Sequence, residues 1–182
     1  MRRFPTIIVL TLFMTATHAG TGGWTEPAEP VNVVVETGQD VGACEAGGSL
    51  SYPPPPYKGS AYFLLKADPK LAARHRELTR SQLPWLQRLD GPSGTNRLFT
   101  GTTGETAIVF WSCKPHDCGD HATYGAYAPR SGRYTLRVLQ HGQTTTLGDA
   151  TPLLDAAIAC ARAQDEQSRE RSSQALKRAK GQ

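Results

Sequence analysis

The chain has 182 residues, with 20 Lys plus Arg against 16 Asp plus Glu, and a formal net charge of +4. This length suits one domain, and no apolar stretch reaches the roughly 20 residues that a membrane-spanning helix requires. Hydrophobic residues make up 38% of the chain, which is enough for a folded core. Arg residues are not interleaved with aromatic residues and there is no phosphate-binding Gly loop, so we expect no nucleic-acid partner.

Residues 1–19 have the pattern of a secretory signal peptide. Arg2 and Arg3 form a charged start, a short apolar run follows, and the small residues Thr17 and Ala19 precede a cleavage point after Ala19. The sequence therefore predicts export, with no membrane attachment after cleavage. In an oxidising compartment the four cysteines become disulfide candidates.

Charge divides the rest of the chain into three parts. Residues 20–59 form an acidic, Gly/Pro-rich lead with a net charge of −4, and the run Pro53–Pro56 predicts a stiff spacer. Residues 60–163 carry +4 and are predicted to be the folded domain. Residues 164–182 form a polar basic tail of +2 whose only large apolar residue is Leu176, so we expect it to be solvated.

The folded domain opens with a predicted helix. Asp68-Pro69 is an N-cap followed by proline at the first helical position, and the helix is expected to end near Arg80. One face of it repeats at i, i+4 and i+7 with Leu71, His75 and Leu78. Pro84 disfavours helix at the residue before it and predicts a turn, after which Trp85 is expected to be a core anchor.

Strands then follow one another with turn signals between them. The predicted strands are Thr106–Trp111, His121–Tyr127, Arg133–His141 and Gln143–Leu147. Thr151-Pro152 begins a second predicted helix. Leu153, Ala157 and Cys160 lie on one face of this helix. This order predicts an α+β fold, in which an antiparallel β-sheet is flanked by helices. His121 and His141 lie near strand ends, where solvent exposure is expected.

The loop between the first two of these strands carries the most distinctive residues, Cys113-Lys114-Pro115-His116-Asp117-Cys118. The two cysteines can close a small ring in an exported protein, and Pro115 fixes one backbone angle. Asp117 is a turn-forming residue, which leaves Lys114 and His116 as the polar groups expected to project outward. The sequence therefore predicts a rigid, protruding, disulfide-closed loop.

Other interpretations of this loop remain open at this point. Cys113, His116, Cys118 and His121 have metal-ligand chemistry, which would make the protein a periplasmic metal-binding or redox module, although the four ligands lack the paired spacing of known zinc sites. A redox exchanger normally uses a Cys-x-x-Cys spacing, which is shorter than the spacing here. A purely structural disulfide with an incidental surface histidine is the simplest alternative.

The loop hexapeptide resembles the signature loop of the inhibitor of vertebrate lysozyme (Ivy) family. The resemblance extends over roughly residues 62–160 and includes the first predicted helix, Leu83-Pro84-Trp85 and the strands on both sides of the loop. It implies a periplasmic protein of Gram-negative bacteria that is not an enzyme and needs no cofactor or metal. Such proteins protect bacterial peptidoglycan from host defence by inserting this loop into the active-site cleft of C-type lysozymes.

The resemblance also implies roles for the loop residues. Lys114, Pro115, His116 and Asp117 would form the lysozyme-binding loop, with His116 in contact with the two active-site carboxyl groups and Lys114 adding a positive charge. If Cys113 pairs with Cys118, Cys44 and Cys160 are the remaining pair.

The resemblance does not cover the acidic lead or the basic tail. A third interpretation is an envelope protein that binds peptidoglycan or the bacterium's own peptidoglycan-cleaving enzymes. The sequence leaves a homodimer open.

Overall fold

The computed structural model describes residues 42–44 and 47–180. The predicted signal peptide, its cleavage point and the first half of the acidic lead lie outside this range. Within it, seven antiparallel strands form one sheet in their sequence order. The strands are β1 Gly42–Ala43, β2 Ser49–Ser51, β3 Arg97–Thr100, β4 Thr106–Cys113, β5 His121–Ala128, β6 Arg133–Gln140 and β7 Gln143–Gly148.

Three short helices precede β3 in the chain and a long helix follows β7. They are α1 Ala61–Ala67, α2 Pro69–Thr79, α3 Pro84–Arg88 and α4 Pro152–Lys180. Among the described helices, none combines the length and apolarity needed to cross a membrane. The α+β prediction, with an antiparallel sheet flanked by helices, is confirmed.

The helices cover both faces of the sheet, because successive side chains of a strand point to opposite faces. Ile108 and Phe110 of β4 pack with residues of α1, α2 and α3 in one buried cluster. Ala107 and Val109, which alternate with them, pack against α4 in a second cluster. The sheet is therefore the middle layer of three.

The predicted helix and strands agree with the structure to within a few residues. Asp68 caps α2 by accepting hydrogen bonds from the backbone N–H groups of Lys70 and Leu71, each at 3.0 Å, and Pro69 is the first helical residue. The predicted anchor Trp85 is buried, with 5% of its surface exposed.

Other elements differ from the expectations. Leu83 is extended, as the following proline requires, but Pro84 begins the helix α3 instead of a simple turn. The short elements α1, β1, β2 and β3 were not predicted, since so few residues carry little periodicity. The segment expected to be a solvated tail is exposed beyond Asp165, and it is the continuous helical end of α4 as far as Lys180.

His75, on the predicted helix face, is a buried hydrogen-bonding residue. Its Nδ1 lies 2.8 Å from the Tyr134 hydroxyl of β6 and its Nε2 lies 2.8 Å from the Leu86 carbonyl of α3. Burial lowers the pKa of His75 below its ordinary value, so the folded protein holds it neutral. The His75 side chain, which belongs to α2, therefore joins this helix to β6 and to α3 by hydrogen bonds.

The register of β4 against β5 depends on a glycine. Gly125 is paired with Phe110, and a Cβ atom at Gly125 would collide with the Cζ end of the Phe110 ring. Phe110 is fully buried and stacks on Tyr134 with ring centroids 6.2 Å apart, so it has little freedom to move.

We predict that Gly125→Ala lowers the free energy of unfolding by about 1–3 kcal/mol, because the added methyl group overpacks the core. Denaturant unfolding followed by circular dichroism measures this change. Gly94→Ala is the matched control, since a Cβ at Gly94 meets no atom within 4 Å. Equal unfolding free energies for the two variants would contradict the proposed close contact.

Candidate functional site

The most prominent local structure is the connection between β4 and β5. The last paired residues are Cys113 and Ala122, and the disulfide between Cys113 and Cys118 closes the connection with a Cα–Cα distance of 5.0 Å. The predicted disulfide-closed loop is therefore present, and it extends from the end of the two central strands. We call residues 113–118 the Cys113–Cys118 loop.

Backbone hydrogen bonds fix the conformation of this loop. The N–H of Asp117 donates to the Lys114 carbonyl at 3.1 Å, and the N–H of His121 donates to the Asp117 carbonyl at 3.0 Å. The Lys114 N–H closes the base by donating to the His121 carbonyl at 3.0 Å. The loop is thus a compact turn held by these three backbone hydrogen bonds as well as by the disulfide.

Asp117 links the loop to the sheet through its side chain. One carboxylate oxygen, Oδ2, lies 2.8 Å from Lys114 Nζ and 2.8 Å from His121 Nδ1. The hydrogen bond from Lys114, with that from His121 and their charges, lowers the pKa of the Asp117 carboxyl group below its ordinary value of 3.8. Asp117 was predicted as a turn residue, and the structure gives it this additional contact role.

His121 was considered in the sequence only as a candidate metal ligand, and its buried position beside Asp117 was not predicted. The expectation of solvent exposure is wrong, since only 4% of His121 is exposed. Its ring makes edge contacts with Trp85, at a centroid distance of 6.4 Å, and with His141, at 4.5 Å. The position of His121 four residues after Asp117 was the available signal, but the burial depends on Trp85, which comes from a distant helix.

The segment Gly91-Pro92 contacts the base of the Cys113–Cys118 loop. The Pro92 carbonyl accepts hydrogen bonds from the Cys113 N–H at 3.0 Å and from the Ser112 hydroxyl at 3.3 Å. Gly91 lies so close to the Cys113 carbonyl that a Cβ atom would collide with it. The sequence Asp90-Gly91-Pro92 indicates a turn, but nothing in it indicates that this turn contacts the loop.

The four residues of the predicted lysozyme-binding loop, Lys114 to Asp117, differ in how far their side chains are exposed. Pro115 and His116 are exposed, and His116 has a left-handed backbone with φ of 64°. Within the part of the chain that the structure describes, the His116 ring makes no hydrogen bond. The Lys114 side chain is 41% exposed, and its ammonium group forms an ion pair with the Asp117 carboxylate. The positive charge of Lys114 is therefore partly compensated within the loop.

All four cysteines form disulfides. Cys44, immediately after β1, pairs with Cys160 of α4 at a Cα–Cα distance of 5.4 Å, and Cys113 pairs with Cys118. Binding of a metal by Cys113 and Cys118 needs free thiolates, and both sulfur atoms form the disulfide in this structure. Across residues 42–44 and 47–180, no group of three or more His, Cys, Asp or Glu side chains could hold a metal ion.

A comparison with protein-family models matched residues 70–167 to the family described as inhibitor of vertebrate lysozyme (Ivy). The matched range covers more than half of the chain and includes the Cys113–Cys118 loop. Neither a search of curated proteins nor a search of solved structures returned a match.

The family match agrees with the fold and the loop described above. Membership implies a lysozyme inhibitor and not an enzyme. The chain belongs to the inhibitor of vertebrate lysozyme family.

Proposed function

We propose that this protein inhibits C-type lysozymes by inserting the Cys113–Cys118 loop into the active-site cleft, with His116 as the residue that contacts the catalytic carboxyl groups. The protein would act in the periplasm after removal of residues 1–19, where it would protect bacterial peptidoglycan. The paired cysteines are compatible with an oxidising compartment.

The observation that carries this proposal is the state of His116. The ring is exposed in a fixed turn and is free of hydrogen bonds to the described residues, so both of its nitrogens are available to a partner. Lysozyme uses one protonated carboxyl group and one ionised carboxylate on either side of the sugar bond. A neutral imidazole offers one donor and one acceptor, which matches this pair.

The rigidity of the loop supports insertion into a narrow cleft. The disulfide, the internal backbone hydrogen bonds and the Asp117 contacts order the loop before a partner arrives. Each side chain that is already ordered saves roughly 0.5–1.5 kcal/mol that binding would otherwise cost. Preorganisation therefore supports tight binding from a small contact area.

The distribution of charge supports recognition by local fit. The residues from 20 to the end carry only about two more positive than negative side chains, and Lys114 pairs with Asp117 in the free protein. Long-range attraction or repulsion by the chain is therefore weak, and the shape of the loop and the His116 contacts would supply most of the affinity.

We predict that His116→Ala and His116→Asn both weaken inhibition of a C-type lysozyme by roughly 30-fold or more, because a central contact residue of this kind is worth about 2 kcal/mol or more. Asn tolerates the left-handed backbone, so the second variant separates loss of the imidazole from a change in backbone conformation. The inhibition constant is measured from cell-wall hydrolysis at increasing concentrations of the protein.

Arg130→Ala is the matched control, since Arg130 is exposed in the turn between β5 and β6, at the end of β5 away from the loop. It should inhibit as the unmodified protein does. An unchanged inhibition constant for both His116 variants would remove His116 from its proposed role. Full lysozyme activity in an excess of the unmodified protein would refute the proposed function itself.

We predict that Asp117→Asn weakens inhibition by roughly 2–10-fold through loss of loop order, as the loop must then be ordered on binding. The same variant should speed amide hydrogen exchange at His121, whose N–H donates to the Asp117 carbonyl. Normal exchange together with normal inhibition would show that the side-chain contacts of Asp117 are not needed.

The pH dependence follows from the lowered pKa of Asp117. Its contribution to loop stability is fully present above the ordinary value of 3.8 and is lost only as the pH falls through the lower folded value. Slow exchange at His121 should therefore persist at pH 4 in the unmodified protein. Loss of this protection at pH 5 would contradict the assignment.

A further inference from the structure

An open groove of about 440 Å³ lies between the sheet and the second half of α4. Its lining includes two aromatic side chains, Tyr52 and Trp111, and three charged ones, Arg97, Asp165 and Arg169. The family resemblance does not account for it, and none of these residues belongs to the Cys113–Cys118 loop. We call it the α4 groove.

The groove exists because α4 stops packing on the sheet while the sheet continues. The last buried side chain of α4 is Ala161, and the residues that oppose the first part of the helix are small, such as Ala107 and Ala126. Trp111, paired with Tyr124 across β4 and β5, lies further along. Trp111 lines the groove that lies beyond this packed part of α4.

The floor of the groove is polar and rigid. Both Arg97 Nη atoms bind the Asp165 carboxylate, at 3.0 and 3.1 Å, and the Tyr124 hydroxyl donates to the same carboxylate at 2.7 Å. The Arg97 side chain is 13% exposed, so the bidentate pair is largely shielded from water. In this ion pair the positive charge of Arg97 and the negative charge of Asp165 neutralise each other.

Arg169, four residues after Asp165 on the same helix, differs from Arg97 because it makes no hydrogen-bonded ion pair with that carboxylate. It is exposed and makes no ion pair with any residue in the described ranges. Among the charged lining residues, two guanidinium groups therefore face one carboxylate, which leaves one positive charge uncompensated. A ligand with a single negative charge would balance it.

The aromatic residues indicate the shape of such a ligand. Tyr52 is 50% exposed and Trp111 is half-buried, so both offer ring surface to the groove. The electron-rich face of an aromatic ring attracts C–H groups of a sugar ring, and the Thr95 and Ser168 hydroxyls in the lining suit a ligand rich in hydroxyl groups. The volume falls in the roughly 300–1,000 Å³ range of small-molecule sites.

We propose that the α4 groove binds a saccharide that bears a carboxylate, with the sugar ring against Trp111 and Tyr52 and the carboxylate on Arg169. This function is separate from lysozyme inhibition, since it uses neither His116 nor the loop. It would let an exported protein bind acidic cell-envelope glycans.

The test compares two sugars that share a ring and an N-acetyl group. N-acetylmuramic acid carries a lactyl carboxylate, and N-acetylglucosamine does not. Each is titrated into the protein while the indole N–H signal of Trp111 is followed by NMR, with Trp111→Phe used to assign that signal. We expect N-acetylmuramic acid to shift the signal and to bind roughly tenfold or more tightly than N-acetylglucosamine, the effect of one hydrogen bond to a charged group.

Variants connect this preference to the groove. Arg169→Gln should remove the difference in affinity between the two sugars. Arg178, which is also exposed and lies further along α4, is the control position, and Arg178→Gln should keep that difference. Both variants should inhibit lysozyme normally. The proposal is overturned if N-acetylmuramic acid leaves the Trp111 signal unchanged, if the two sugars bind equally, or if the two variants behave alike. It is also overturned if Arg169→Gln weakens only lysozyme inhibition, since the groove would then be a protein contact.

Discussion

The antiparallel pairing of β4 with β5 is the constraint on which the rest of the structure depends. Its register places Phe110 opposite Gly125, where the absence of a side chain gives the ring room inside the core. The same register brings Cys113 opposite Ala122, so the connecting residues leave the sheet as a short turn. A shift of β5 by one residue would turn its side chains to the opposite faces of the sheet.

The Cys113–Cys118 loop is rigid because covalent, backbone and side-chain constraints all apply to a few residues. The disulfide closes the ring, the backbone hydrogen bonds set the turn, and Asp117 fastens it to His121. His121 is itself held against Trp85, a residue of α3. The order of the loop therefore depends on the helical layer as well as on the strands, and the exposed His116 ring is presented on a fixed base.

The sheet separates two surfaces with different chemistry. The loop extends from one end of the central strands and presents His116, whose ring makes no hydrogen bond to the residues that the structure describes. The α4 groove lies on the face that the long helix only partly covers, and its free positive charge is on the helix. Residues 164–180 thus continue a helix that is held by the Cys44–Cys160 disulfide and, at Asp165, by the ion pair with Arg97.

The sequence by itself determined the α+β class, the capped helix at Asp68, the longer strands and the disulfide-closed loop, because these depend on local patterns of polarity, capping and cysteine spacing. It could not determine the burial of His121, the support from Pro92 or the ion pair of Lys114 with Asp117. Tertiary structure also decided the helix α3 contacts and the α4 groove. Each of these features either joins residues that are distant in the chain or depends on the direction of a side chain. Sequence spacing alone determines neither the distant contacts nor the side-chain directions.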